Sequence, residues 1–90
     1  MYYVADKQIA LRALTELRAA RVSEPTATLT SLQRLRNEVA CAGQGDRPRL
    51  EAWAAIRTLY DVFKAAPQHD LKAFWQEAIN KTAAWSESLR

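Results

Sequence analysis

The most constraining feature of the chain is the stretch LEAWAAIRTLYDVF at residues 50–63, which is too apolar for an ordinary surface helix. On an α-helix, its apolar side chains cover about half of the circumference. The polar side chains are left on a narrow strip, which consists of Glu51, Arg57, Thr58, Asp61 and Lys64. A helix with so little polar surface needs neighbours on more than one side. We therefore predict that it is the central element of a helical bundle.

Three other segments have the spacing of amphipathic helices, and the four together predict helices over residues 5–22, 26–42, 47–65 and 70–89. Residues that interrupt a helix separate them: Pro25, Gly43 and Pro67. Asp46 and Asp70 stand where N-terminal caps are expected. Because the connections are short, consecutive helices should run in opposite directions. We predict a single all-α domain, an antiparallel four-helix bundle.

Each of the other three helices has one apolar seam, and these seams predict the rest of the core. The seam residues are Ile9, Ala13, Leu17 and Ala20 in the first helix, Leu32, Leu35, Val39 and Ala42 in the second, and Leu71, Trp75, Ala78, Thr82, Trp85 and Leu89 in the fourth. Arg12 and Glu16 lie one turn apart on the polar side of the first helix. We expect these two side chains to pair weakly.

The composition bounds the chemistry of the chain, which has 90 residues, a formal charge of +3, one cysteine and one histidine. A lone Cys41 cannot form an intramolecular disulfide, and with His69 alone it does not make a zinc site. No segment approaches the ~18 apolar residues of a membrane span, and no secretion signal is visible. We expect a cytoplasmic protein that contacts no membrane and holds no metal or cofactor.

Enzymatic activity is not expected, because no two carboxylates have a spacing that selects an acid–base pair. One helical enzyme class stays open as a less favoured alternative: small enzymes of the chorismate mutase type, which hold a dianionic substrate with cations from bundle helices. In this chain the arginines fall on flanks or exposed faces of the predicted helices. A buried anion site would need them within the apolar seams.

Nucleic acid is also not expected as a partner. The best candidate is the run Arg34-Leu35-Arg36. Alternate residues on a helix diverge by about 200°, or 160° the shorter way, so the two arginines do not form one patch. The third helix is far too apolar to serve as a recognition helix.

Several segments of the chain resemble the small all-helical immunity proteins of bacterial type VI secretion systems. They are LQRLRNEV at 32–39, Asp46-Arg47 with Leu50 following, YDVF at 60–63, and Pro67 with LKAFWQEA at 71–78. The resemblance is in particular to those paired with toxins that attack cytoplasmic nucleotides such as NAD. It implies a protein that binds a cognate toxin in the cytoplasm and occludes its active site. A phage- or plasmid-encoded inhibitor or adaptor of another bacterial protein is the alternative.

The toxin-binding surface is predicted on the polar strip of the third helix, because charges there steer encounter beside a tryptophan that can anchor the contact. A cap at the start of this helix and a second tryptophan from the fourth helix extend the surface. The candidate residues are Asp46, Trp53, Arg57, Asp61, Lys64 and Trp85.

A homodimer is predicted from apolar residues that lie outside the main seams. These residues are Leu11, Val22 and Ile79. A domain of this size gains stability when it buries further apolar surface against a second copy.

Overall fold

The computed structural model describes residues 2–20, 24–42, 47–66 and 70–89. It contains the helices α1 (Tyr2–Ala19), α2 (Pro25–Cys41), α3 (Arg47–Ala65) and α4 (Lys72–Ser88). The prediction of an all-α four-helix bundle is confirmed. The bounds of α3 agree with those predicted, whereas α1 begins three residues earlier than expected and α4 begins two residues later.

The four helices form a square in cross-section. In the described ranges α1 packs against α2 and α4, and α3 packs against the same two helices. In the same ranges, the backbones of the diagonal pairs, α1 with α3 and α2 with α4, do not come close to each other. The prediction that the third helix is the central element is therefore wrong: α3 is one of four corners. Its wide apolar arc is explained by two large interfaces, one on each side, rather than by burial all round.

Consecutive helices run in opposite directions, as contacts along their lengths demonstrate. Arg12 of α1 contacts Glu38 of α2, and Glu16, one turn later, contacts Arg34, one turn earlier. Trp75, near the start of α4, donates its indole N–H to the carbonyl oxygen of Leu17, near the end of α1, at 2.7 Å. The resulting body is elongated, with extents of 40 × 20 × 18 Å.

The predicted seams supply most of the core. Every seam residue of α2 is buried, and in α4 only Trp75 is half-buried. In α1 the core is centred on Ala10, Ala13 and Leu17, so Ile9 and Ala20 lie at its edge. The largest fully buried side chains are Trp85, Phe63, Leu17, Leu32, Leu35, Ile56, Leu59, Val39 and Thr82.

One arginine lies inside the bundle, contrary to the prediction that all arginines are on flanks or exposed faces. Arg49, in the first turn of α3, is only 9% exposed. Its Nη1 donates to the carbonyl oxygens of Val39 at 2.9 Å and Ala40 at 3.1 Å. These carbonyls belong to the last turn of α2, where the Val39 oxygen also accepts from the backbone N–H of Ala42 at 3.4 Å. The guanidinium therefore closes the C-terminal end of α2 and places a cation at the negative end of its dipole.

The N-cap residue of α4 is Leu71, one residue after the predicted Asp70. The Asp70 carboxylate still accepts a hydrogen bond from the backbone N–H of Lys72 at 3.0 Å, which satisfies one of the first amides of α4. Asp46, the predicted cap of α3, lies outside the described residues, as do Gly43 and Pro67.

Candidate binding surface

Because neighbouring helices form a square, the bundle has four outer faces, and each has its own chemistry. The α1–α2 face is an ion-pair network in which Glu38 accepts from Arg12 at 2.9 Å and contacts Arg34 at 3.6 Å. Arg34 also pairs with Glu16, and this hydrogen bond raises the pKa of the guanidinium. The predicted pairing of Arg12 with Glu16 is thus replaced by pairs across the helix interface. The charges on this face compensate one another.

The α3–α4 face contains an apolar groove of about 500 Å³. Small side chains line it, among them Ala54, Ala55 and Ala73, together with Phe74, which is 40% exposed. At one end Lys81 donates to Glu51 at 3.3 Å. That hydrogen bond, with a second from Arg47, lowers the pKa of the Glu51 carboxyl.

The α2–α3 face combines aromatic rings with cations. Along α3, the residues Leu50, Trp53, Arg57, Tyr60 and Lys64 follow one another at spacings of three and four positions, so they form one stripe. Gln33 and Arg36 of α2 lie across the groove from this stripe, and each contacts Tyr60. These seven residues define the α2–α3 face.

Three cations of this face lie over aromatic rings. The Arg36 guanidinium is 4.8 Å from the centre of the Tyr60 ring, and the Lys64 ammonium is 5.9 Å from the same ring. The Arg57 guanidinium is 5.5 Å from the Trp53 ring. Contacts at these distances are attractive because the ring face carries negative quadrupolar charge. They hold the cations in defined places on the surface.

Tyr60 is the residue of the α2–α3 face that is held by contacts with both helices. It is 7% exposed, and its hydroxyl donates to Gln33 Oε1 at 2.5 Å. The ring is therefore held from the core side, from α2 through Gln33, and from the outside by two cations. Leu50 is 47% exposed at one end of the stripe, although the apolar arc of the sequence includes it.

The structure brings four of the six predicted contact residues together. Trp53, Arg57, Asp61 and Lys64 share the outer side of α3, and Arg57 Nε lies 3.9 Å from Asp61 Oδ2 with both side chains 56% exposed. Trp85 is fully buried, so it belongs to the core and not to a contact surface. Asp46 lies outside the described residues.

Sequence reasoning missed Arg36, Gln33 and Tyr60 as parts of this face. The available signal was the divergence of Arg34 and Arg36, which the structure confirms: Arg34 contacts α1, and Arg36 contacts Tyr60 of α3. Since α2 lies between α1 and α3, one of two diverging arginines had to meet the third helix. Which aromatic ring that arginine contacts depends on the register of α2 against α3. The spacing of apolar residues in the sequence does not determine this register.

Metal ligands do not gather at one place in the described ranges. No cluster of three or more histidine, cysteine or acidic side chains suited to a metal ion is found there. Cys41 is exposed, and His69 lies outside these ranges. In the same ranges, no helix combines the length and the apolar character needed to cross a lipid bilayer.

Comparison with known proteins yields no family model, no curated protein and no solved structure that matches the chain.

Proposed function

We propose that this protein is an immunity protein: it binds a cognate bacterial toxin that acts in the cytoplasm and covers its active site with the α2–α3 face. The observation that carries the proposal is the placement of Trp53, Tyr60 and three cations on one side of the bundle, where the cations contact the rings. Resemblance of the sequence to helical immunity proteins supports the same function.

The composition of this face suits tight binding of a protein. Tryptophan, tyrosine and arginine are the residues that most often contribute large shares of binding energy at protein interfaces. Side chains already held in place lose less conformational entropy when a partner binds. The exposed Leu50 adds apolar area at the edge of the stripe.

The proposal is tested by survival of cells that co-express this protein with the toxin domain encoded beside it. Exchange of the charges in Arg57→Asp/Asp61→Arg keeps an ion pair within α3 but reverses both charges that face a partner. We expect this double variant to lose protection, by at least about a hundredfold in surviving cells, which corresponds to about 2.7 kcal/mol of lost binding if survival follows toxin occupancy.

A control away from the α2–α3 face is Arg47→Glu/Glu51→Arg/Lys81→Glu, which exchanges the charges of both ion pairs that Glu51 forms, with Arg47 of α3 and with Lys81 of α4, and so keeps both pairs. It should leave protection intact, and circular dichroism should show equal helix content in both variants. Full protection by Arg57→Asp/Asp61→Arg would contradict the use of this face. If the neighbouring gene encodes no toxin and another bacterial protein is bound by the same face, the inhibitor or adaptor alternative replaces the immunity function.

We propose in addition that the protein forms a homodimer through the α4–α1 face. That face lies opposite the α2–α3 face in the square, so a dimer formed there leaves the toxin-binding surface free. Leu11 of α1 is 45% exposed, and Ile79 of α4 is half-buried at the edge of the core. Val22, the third residue that predicted the dimer, lies outside the described residues.

Sedimentation equilibrium tests the dimer. We expect a dimer at tens of micromolar and at least about a tenfold weaker self-association in Leu11→Glu, because the substitution places a charge within the apolar contact. Leu50→Glu, an equally drastic change of a similarly exposed leucine on the opposite face, should leave the association unchanged. A monomeric wild-type protein at these concentrations would contradict the dimer.

A further inference from the structure

The cations of the α2–α3 face differ from those of the α1–α2 face in the groups that they contact. Arg12 and Arg34 both contact carboxylates of the neighbouring helix. Arg36 and Lys64 contact an aromatic ring, and in the described part of the chain neither forms an ion pair with a carboxylate. Among the described residues no carboxylate therefore compensates their positive charge, whereas Arg57 has the carboxylate of Asp61 nearby.

The geometry of the arginines suits them to carboxylates. A guanidinium has five N–H donors in a fixed fork, and a contact with a ring does not use up this set of donors. Those N–H groups match the two oxygens of a carboxylate, and a bidentate pair of this kind is stronger than a hydrogen bond between neutral groups. Arg36 and Arg57 each lie on a ring, at 4.8 and 5.5 Å from the ring centres.

A nucleic-acid backbone fits the same face less well. Asp61 stands beside Arg57 with 56% of its side chain exposed, and it would repel phosphates that bind to the arginine. Leu50, 47% exposed, offers apolar surface that phosphates and sugars do not use. A protein surface can place carboxylates on the arginines, a cation or hydrogen-bond donor near Asp61, and an apolar side chain on Leu50.

We propose that the partner of the α2–α3 face is a protein surface rich in carboxylates, which pair with Arg36, Arg57 and Lys64. The inference rests on the proposed function and specifies the chemistry of the surface that is covered. It also implies that encounter is accelerated by electrostatic attraction, so association should slow as salt concentration rises.

The test uses a blocked decapeptide of glutamate as the probe and isotope-labelled protein observed by NMR. We expect the peptide to shift the signals of Trp53, Arg36, Arg57 and Lys64, with weaker binding at high salt. Arg36→Glu/Lys64→Glu should bind the peptide at least about tenfold more weakly than wild type.

The control is Lys7→Glu/Lys72→Glu, which changes net charge by the same amount. Lys72 is the first residue of α4, where a carboxylate is favourable, and Lys7 lies in the second turn of α1. This variant should bind the peptide markedly more tightly than Arg36→Glu/Lys64→Glu does. Equal loss in the two variants, or no shifts on the α2–α3 face, would overturn the inference.

A ten-nucleotide single strand of DNA completes the experiment. If it binds the α2–α3 face more tightly than the peptide, the partner is a nucleic acid and the inference is overturned. The peptide-binding experiment and the survival assay test the two proposals separately. Peptide binding without protection of cells would refute the immunity function alone, whereas protection that persists in Arg36→Glu/Lys64→Glu would refute the carboxylate-rich partner alone.

Discussion

Replacement of Phe63 by alanine is expected to lower the free energy of unfolding by about 3–5 kcal/mol. The side chain is 1% exposed, and its ring meets Trp75 of α4 edge-on with the ring centres 6.1 Å apart. Truncation removes apolar contacts within the core and leaves a cavity that a rigid bundle fills only in part. Small domains have about 5–15 kcal/mol in total, so the loss is a large fraction of stability. Ile56→Ala, fully buried on the same helix, should cost about 2–5 kcal/mol.

Phe74→Ala is the matched control, since it is the same substitution at a ring with 40% exposure on the outside of α4. It should cost no more than about 1.5 kcal/mol, because much of the ring is already in water. Urea denaturation followed by circular dichroism gives both values. Similar midpoints for Phe63→Ala and Phe74→Ala would contradict the packing described for α3 and α4.

The second large effect is expected from Arg49→Met, at about 2–4 kcal/mol of destabilisation. Methionine keeps the aliphatic bulk of the side chain but removes the donor to the carbonyl oxygens of Val39 and Ala40. Those oxygens lie at the C-terminal end of α2 and lose both a hydrogen bond and a nearby cation. Because the group is 9% exposed, water replaces the lost donor only in part.

Arg47→Met is its control, two residues earlier on the same helix. The Arg47 side chain is 89% exposed and pairs only with Glu51 in the described ranges, so its loss should change stability by no more than about 0.5 kcal/mol. The same denaturation experiment separates the two arginines. Equal stabilities of Arg49→Met and Arg47→Met would contradict a role for Arg49 in holding the end of α2.

The apolar periodicity predicted the helices and most of the core correctly. The reason is that a helix buried on one side has apolar residues at every third or fourth position. Leu32, Leu35 and Val39 are examples, and all three are buried. Periodicity reports which side of a helix is buried but not how many neighbours bury it. For this reason the wide arc of α3 suggested a central position, and Leu50 at the margin of the arc is nevertheless exposed.

Polar contacts between helices were not predictable in the same way. Arg49 is an ordinary polar residue by its spacing, and its burial follows from the approach of the start of α3 to the end of α2. Arg12 has Glu16 one turn away yet pairs with Glu38, because the interface brings that carboxylate within reach. Which partner a polar side chain contacts depends on helix register, and that register is set by the packing of the whole bundle.

The candidate surface was predicted in part for the same reasons. Arg57, Asp61 and Lys64 share one side of α3 by spacing alone, and the structure keeps them together. Trp53 and Trp85 are equivalent as sequence signals, but one lies at an outer groove and the other in the centre of the core. Arg36 and Gln33 join the surface only because α2 packs beside Tyr60.

The most direct test of the proposed binding surface is hydroxyl-radical labelling of the protein, free and in complex with the proposed cognate toxin domain. Labelling reports how much of each side chain is open to water, and three exposed apolar residues mark three different faces of the bundle: Leu50, Leu11 and Phe74. We predict that labelling of Leu50 and Trp53 falls sharply in the complex while that of Phe74 is unchanged. Protection of Phe74 or Leu11 by the toxin domain, with Leu50 and Trp53 still labelled, would contradict binding through the α2–α3 face.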